Sequence, residues 1–230
     1  MHSLTFDSPA IDSTTIDAAP TIDSVISDWE TTLRYGFAFA QLRTGSEDAA
    51  FVALVGALEE LWAPARQARI GEAFEASQLP YARRAWDDSR VALDGWVGNY
   101  RAMHREACEQ TQVAQTQSAE LMDRSYGCLA ARERELAALL RLMEAPDADL
   151  IERASTAVRK LRSPVPCRDR AFLDATVEPP PQAQAAAVGS LREQLADASA
   201  QTAAGRYESA TQPAESALAA ARETEYAPVV

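Results

Sequence analysis

The stretch Ser118–Glu144, SAELMDRSYGCLAARERELAALLRLME, decides the fold class. Its apolar residues Leu121, Met122, Leu129, Leu136, Leu139 and Leu140 recur at steps of three, four and seven. That is the period of one helix face, not the two-residue alternation of a strand. Ser118 stands where an N-cap belongs, its hydroxyl able to accept from a backbone N–H of the first turn. Pro146-Asp147 punctuates the far end. A further helix over about 149–161 follows, and Ser163–Pro166 stops it, because the residue before a proline is pushed out of helical geometry.

The same period extends in both directions. A polar stretch, Gln112 to Gln117, separates this helix from a long one over about 81–111, whose apolar side includes Ala85, Ala92, Trp96, Tyr100 and Met103. Before it, Pro64 suits the first turn of a helix carrying Ile70 and Phe74. Ser46 is placed to cap a helix with Phe51, Leu54, Val55, Leu58 and Leu61. Trp29, Leu33, Phe37 and Ala40 begin the helical pattern, and Trp29 is expected to dock the first helix. No alternating strand pattern occurs, so the chain reads as all-α: an antiparallel helical bundle over 28–166 followed by a helical hairpin. Residues 1–27 form an acidic Ser/Thr-rich tail with a loose Ile-Asp repeat, expected to be disordered. Residues 167–181 close with Pro179-Pro180-Pro181, a stiff spacer that marks a boundary before the hairpin at 182–230.

Composition bounds the function. The 230 residues carry 22 Lys+Arg against 34 Asp+Glu, a formal net charge of −12. A nucleic-acid partner calls for a basic face that displaces counterions, and an anionic membrane surface makes the same demand. Neither fits, and the local cluster Arg66, Arg69, Arg83, Arg84 reads as a solvated helix face. No apolar run reaches the ~20 residues of a membrane span. The acidic start is unlike a secretory signal, so the expectation is a chain with no membrane segment of its own.

Candidate chemistry is sparse. His104 and Cys108 share a helix side with Glu109 nearby, half of a zinc site at most, since the other histidine is His2 in the tail. The expected arrangement is a surface histidine beside a buried cysteine. One histidine at helical spacing from a cysteine does not make a nucleophilic constellation. Asp87-Asp88 and Asp147/Asp149 read as helix-start and solvent-facing carboxylates. Trp62, Trp86 and Trp96 fall in helical stripes and are expected in the core. No catalytic, cofactor-binding or metal-binding residue is assigned; the expected partner is a protein or peptide.

Cys108, Cys128 and Cys167 allow at most one internal disulfide. At ~1.5 Å of rise per residue, Cys128 lies ~24 Å before the turn near Ala145. The returning helix covers a similar distance before Cys167, so the two sit at one level of a hairpin. Cys108 and Cys128 are offset by roughly 8–10 Å across their own turn, beyond the ~7 Å Cα limit. The expected bridge is Cys128–Cys167, leaving Cys108 as a thiol. In a reducing compartment the expectation is instead three buried thiols.

Ala204-Gly205-Arg206-Tyr207-Glu208-Ser209-Ala210, followed by Ala214, Ala217 and Leu218, is similar to the turn and second helix of a tetratricopeptide repeat. Gly205 permits the tight turn, Tyr207 is expected to pack across it, and Ala210 lets the helices nest. Pro213 departs from the pattern and implies a kink or a late start. A lone helical hairpin is the competing reading.

Wider landmarks run from Trp62-Ala63-Pro64-Ala65-Arg66 and Ala73-Phe74 through Leu93-Asp94, Trp96 and Arg105-Glu106-Ala107-Cys108-Glu109. They continue with Gln117-Ser118-Ala119-Glu120-Leu121-Met122-Asp123, Cys128-Leu129 with Arg132, Pro166-Cys167, Gly205-Arg206-Tyr207 and Tyr226-Ala227-Pro228. Over residues 58–230 this order resembles the region between the membrane segment and the tetratricopeptide repeats of large myxobacterial-type serine/threonine protein kinases. The resemblance implies an extracytoplasmic sensor or scaffold region; without it the expectation is cytoplasmic. Such kinases commonly have a further cysteine before the Trp62 position, and its absence here accounts for the odd number. The kinase domain and its loops are missing, and Arg168-Asp169-Arg170 is not a kinase catalytic loop. The expected function is therefore a non-catalytic interaction module able to self-associate through 182–230. The alternatives are a fragment without independent activity or an enzyme of another class.

Overall fold

The computed structural model describes residues 60–175, 180–224 and 226. The chain divides into two compact units, Met1–Ala53 and Leu54–Val230, and all described residues belong to the second. The expected tail, the docking of Trp29 and the stripe from Phe51 to Leu58 lie outside the described residues.

The protein is all-α. Among the described residues there are seven α-helices: α1 Pro64–Ala76, α2 Ala82–Cys108, α3 Ala119–Met143, α4 Ala148–Arg159, α5 Arg170–Asp174, α6 Gln182–Ala203 and α7 Tyr207–Glu223. A π-turn, Glu109–Val113, extends α2, and a 3₁₀ turn, Val165–Arg168, precedes α5. The boundaries follow local chemistry. Ser118 accepts from the Leu121 N–H, Asp147 from Leu150, and Asp169 from Ala171 and Phe172. Pro64 opens α1, where its missing N–H costs nothing.

The centre of the bundle is α3. Leu129, Leu136, Leu139, Leu140 and Met143 are buried on it, together with Ile70 and Phe74 of α1, Leu93 and Tyr100 of α2, and Leu150 and Ile151 of α4. Each fully buried side chain of this size contributes about 1.5–3 kcal/mol through burial of apolar surface. Trp62, Trp86 and Trp96 all lie in this core. Gly71 is required for it: a Cβ there would come within 2.8 Å of the Trp86 indole Nε1, so glycine lets the ring lie against α1.

Several expectations change in detail. The spacer expected at 167–181 is shaped by the 3₁₀ turn and α5, with Cys167 and Leu173 buried. Segment 162–174 forms a strap whose carbonyls satisfy donors from the bundle. Trp96 Nε1 donates to Arg162 O (3.1 Å), Arg132 Nε to Ser163 O (3.3 Å) and Ser125 Oγ to Cys167 O (2.8 Å). The hairpin beyond the prolines packs back onto α3 through Ala138, Ala196 and Ala200 with Leu142 beside them. Its own helices meet through Leu191, Ala217 and Ala221. Helix α7 neither starts late nor breaks: it begins at Tyr207 and runs through Pro213. The carbonyl that Pro213 cannot bond belongs to Ser209, an exposed residue open to water.

Candidate interaction surface

The turn between α6 and α7 is built on Gly205, whose φ of 82° lies in the left-handed region that favours glycine. Arg153 of α4 lies against it; a Cβ on Gly205 would sit 2.5 Å from Arg153 Nη1. Arg206 Nη2 pairs with Asp147 Oδ2 at 2.7 Å, so the hairpin tip is keyed to the start of α4. Burial works to raise the Asp147 pKa, but the Leu150 N–H and Arg206 outweigh it and hold the carboxyl below its ordinary value.

Tyr207 does not pack across the turn as expected. It is the first residue of α7 and 59% exposed, and Ala210, one turn on, takes the inward position at 6%. A position at the first turn leans away from the helix body, so the ring is directed into an open groove instead. Pro146, Asp147, Gly205, Arg206 and Ser209 line that groove with it. Leu218, 44% exposed, lies eleven residues after Tyr207, three helical turns along the same flank. Leu195 of α6 adds a third exposed apolar side chain, at 41%.

Cys128 and Cys167 form a disulfide, with Cα atoms 5.6 Å apart. Cys108 stands outside the bridge. The relation expected between His104 and Cys108 is reversed: His104 is buried at 5% exposure, whereas Cys108 is only half-buried. The reason is a ladder of rings. Trp96 stacks on Tyr100 (5.7 Å), Tyr100 on His104 (6.4 Å), and His104 on Tyr126 of α3 (4.7 Å). Burial pushes the His104 pKa down to about 4. Burial, then the neighbouring Cys108, pushes the Tyr126 phenol well above its usual range.

The run Arg132-Glu133-Arg134-Glu135 makes contacts that the sequence reading does not assign. An amphipathic helix would send such a run to solvent, yet α3 has neighbours on several sides. Arg132 turns to the strap. Glu133 Oε2 accepts from Tyr100 Oη (3.1 Å), and Arg134 Nε faces Glu193 of α6 (3.8 Å). Glu135 pairs with Arg132 and Arg162. Burial, opposed by Tyr100 and Arg134 and reinforced by Glu193, raises the Glu133 pKa. Burial and then Glu133 push the Tyr100 phenol far above its ordinary value. In the arginine cluster read as a solvated helix face, Arg66 and Arg69 converge on Glu144, and Arg84 pairs with Asp88.

Among the described residues, no group of three or more His, Cys, Asp or Glu could hold a metal ion. No helix among them is long and apolar enough to cross a membrane. No protein-family model, curated protein or solved structure matches the chain.

Proposed function

We propose that this chain is a non-catalytic protein-interaction module whose C-terminal hairpin presents the binding face. The observation that carries the reading is the flank of α7. Tyr207 and Leu218 remain exposed at helical register beside a groove, while smaller alanines fill the inward positions. An aromatic and a leucine in line on one helix are the side chains that anchor peptide and helix partners. The left-handed turn at Gly205 and the nested Ala210 support a tetratricopeptide-like reading of this hairpin. The partner is a protein or peptide, or a second copy joined through 182–230.

The sequence resemblance extends the proposal to a sensor or scaffold region related to the non-kinase part of a bacterial serine/threonine kinase, acting in signal transduction. The Cys128–Cys167 bridge suits the oxidising, extracytoplasmic setting that this implies.

The test is peptide selection against the full chain, followed by titration of the selected peptides. Sedimentation velocity on the same protein reads self-association. A Tyr207→Ala/Leu218→Glu variant with an unchanged melting temperature is expected to lose at least tenfold in affinity, or to lose self-association. Selected peptides that bind the variant as well as the parent, or the absence of both binding and self-association, would refute the reading.

A further inference from the structure

The outer flank of α7 carries four residues at a spacing that reads the same in both directions: Tyr207, Thr211, Leu218 and Arg222, at steps of four, seven and four. All four are exposed. At ~100° per residue they fall within about 60° of one another around the helix, so they form one stripe. The midpoint lies between Ala214 and Glu215, and the small side chain of Ala214 leaves room there for a second helix. The Thr211 hydroxyl donates to the Tyr207 carbonyl (3.0 Å), so covering Thr211 strands no polar atom.

Charge follows the same symmetry. Glu208 lies in the first turn of α7 and Arg222 in the last, an order that suits the helix dipole. Ion pairs of the hairpin engage Glu193, Asp197 and Arg206, so among the described residues Glu208 and Arg222 have no ion-pair partner in their own chain. A second α7 laid antiparallel, with Thr211 against the partner's Leu218, sets Tyr207 and Glu208 beside the partner's Arg222. The two-fold axis repeats the contact at the other end, ~22 Å away. Each guanidinium then meets a carboxylate and a tyrosine ring. In a parallel pair like charges would meet instead. The net charge of −12 repels two copies at long range, which favours a register that sets opposite charges together. One contact opposes the pairing: the two Glu215 carboxylates approach each other near the axis.

We propose that the binding face takes a second copy of this chain: two α7 helices pair antiparallel about a two-fold axis between Ala214 and Glu215, with Leu218 packed on the partner's Thr211 and Arg222 held by the partner's Tyr207 and the partner's Glu208. The proposal rests on the reading of the α7 flank as the binding face and names its occupant. Each subunit offers both halves of the contact, because an isologous interface uses one patch twice.

The test is sedimentation velocity of the full chain over a range of concentrations, with charge variants whose far-ultraviolet circular dichroism matches the parent. Glu208→Arg and Arg222→Glu each turn two attractions into two repulsions. An exposed ion pair is worth a factor of about 1.4–5, so each single variant is expected to dimerise at least about fourfold more weakly. The double variant Glu208→Arg/Arg222→Glu restores opposite charges and is expected to dimerise like the parent. An equimolar mixture of the two single variants is expected to form a heterodimer at concentrations where each alone is monomeric. Glu215→Gln is expected to tighten dimerisation. A parent that stays monomeric, single variants that dimerise as well as the parent, or a mixture that gains nothing over its components would overturn the proposal. Selected peptides that bind the parent and are lost by Tyr207→Ala/Leu218→Glu would then show that the face takes another protein; if those peptides are absent too, the reading of the face fails with it.

Discussion

Replacing Cys128 and Cys167 together by alanine, in a Cys108→Ala background that prevents reshuffling, removes the one covalent link between the strap and α3. The bridge spans a sequence separation of 39 and so encloses the second half of α3, the turn, α4 and the start of the strap. In the chain-entropy treatment, a loop of that length restricts the unfolded ensemble by about 4 kcal/mol at 25 °C. For a folded unit spanning Leu54–Val230, each kcal/mol moves the melting temperature by about 2–4 °C, so the expected fall is about 10 °C. The native packing is expected to persist, because Ser125, Arg132 and Trp96 still hold the strap carbonyls. The assay is thermal melting by circular dichroism on oxidised Cys108→Ala protein, on the same protein in dithiothreitol, and on the triple variant. The last two should agree with each other, with an unchanged near-ultraviolet spectrum at 20 °C. A difference below ~2 °C between oxidised and reduced protein would refute the reasoning, since the loop would then be equally restricted without the bond.

Three other outcomes follow from the geometry. His104 is neutral in the fold and holds a proton more readily when unfolded, so its contribution is fully present above pH 6.5 and lost as pH falls toward about 4. The gap between those values caps the effect at about 3 kcal/mol; His104→Phe, which retains a stackable ring, should flatten that part of the acid-unfolding curve. Gly205→Ala places a Cβ at a positive φ and against Arg153; urea unfolding should show a loss of about 1–2 kcal/mol, larger than for Gly189→Ala, where nothing lies within 4 Å. Asp147→Ala removes the cap on Leu150 and the partner of Arg206, and should cost about 1–2 kcal/mol in the same assay, whereas Asp149→Ala should cost less.

Local chemistry was legible wherever one residue determines its own neighbourhood. Ser118 and Asp147 cap the helices that follow them, Pro64 opens α1, and Gly205 takes the left-handed turn. Each of those events involves a few adjacent residues, so no knowledge of distant packing is needed. The candidate surface was only half legible. The turn was visible, but the outward direction of Tyr207 depends on Ala210 filling the inward place and on Pro146 and Asp147 framing a groove from another part of the chain.

The sequence by itself determined that the chain is helical, where its main helices start and stop, and which stripe of each is apolar, because a 3.6-residue period and a cap are properties of contiguous residues. Only the tertiary structure decided that His104 is enclosed between Tyr100 and Tyr126, and that the Arg132–Glu135 run is shared among α2, the strap and α6. Periodicity assumes one buried face and one wet face. A helix at the centre of a bundle has neighbours on more than one side, and which of its charges find partners there depends on segments far away in the sequence.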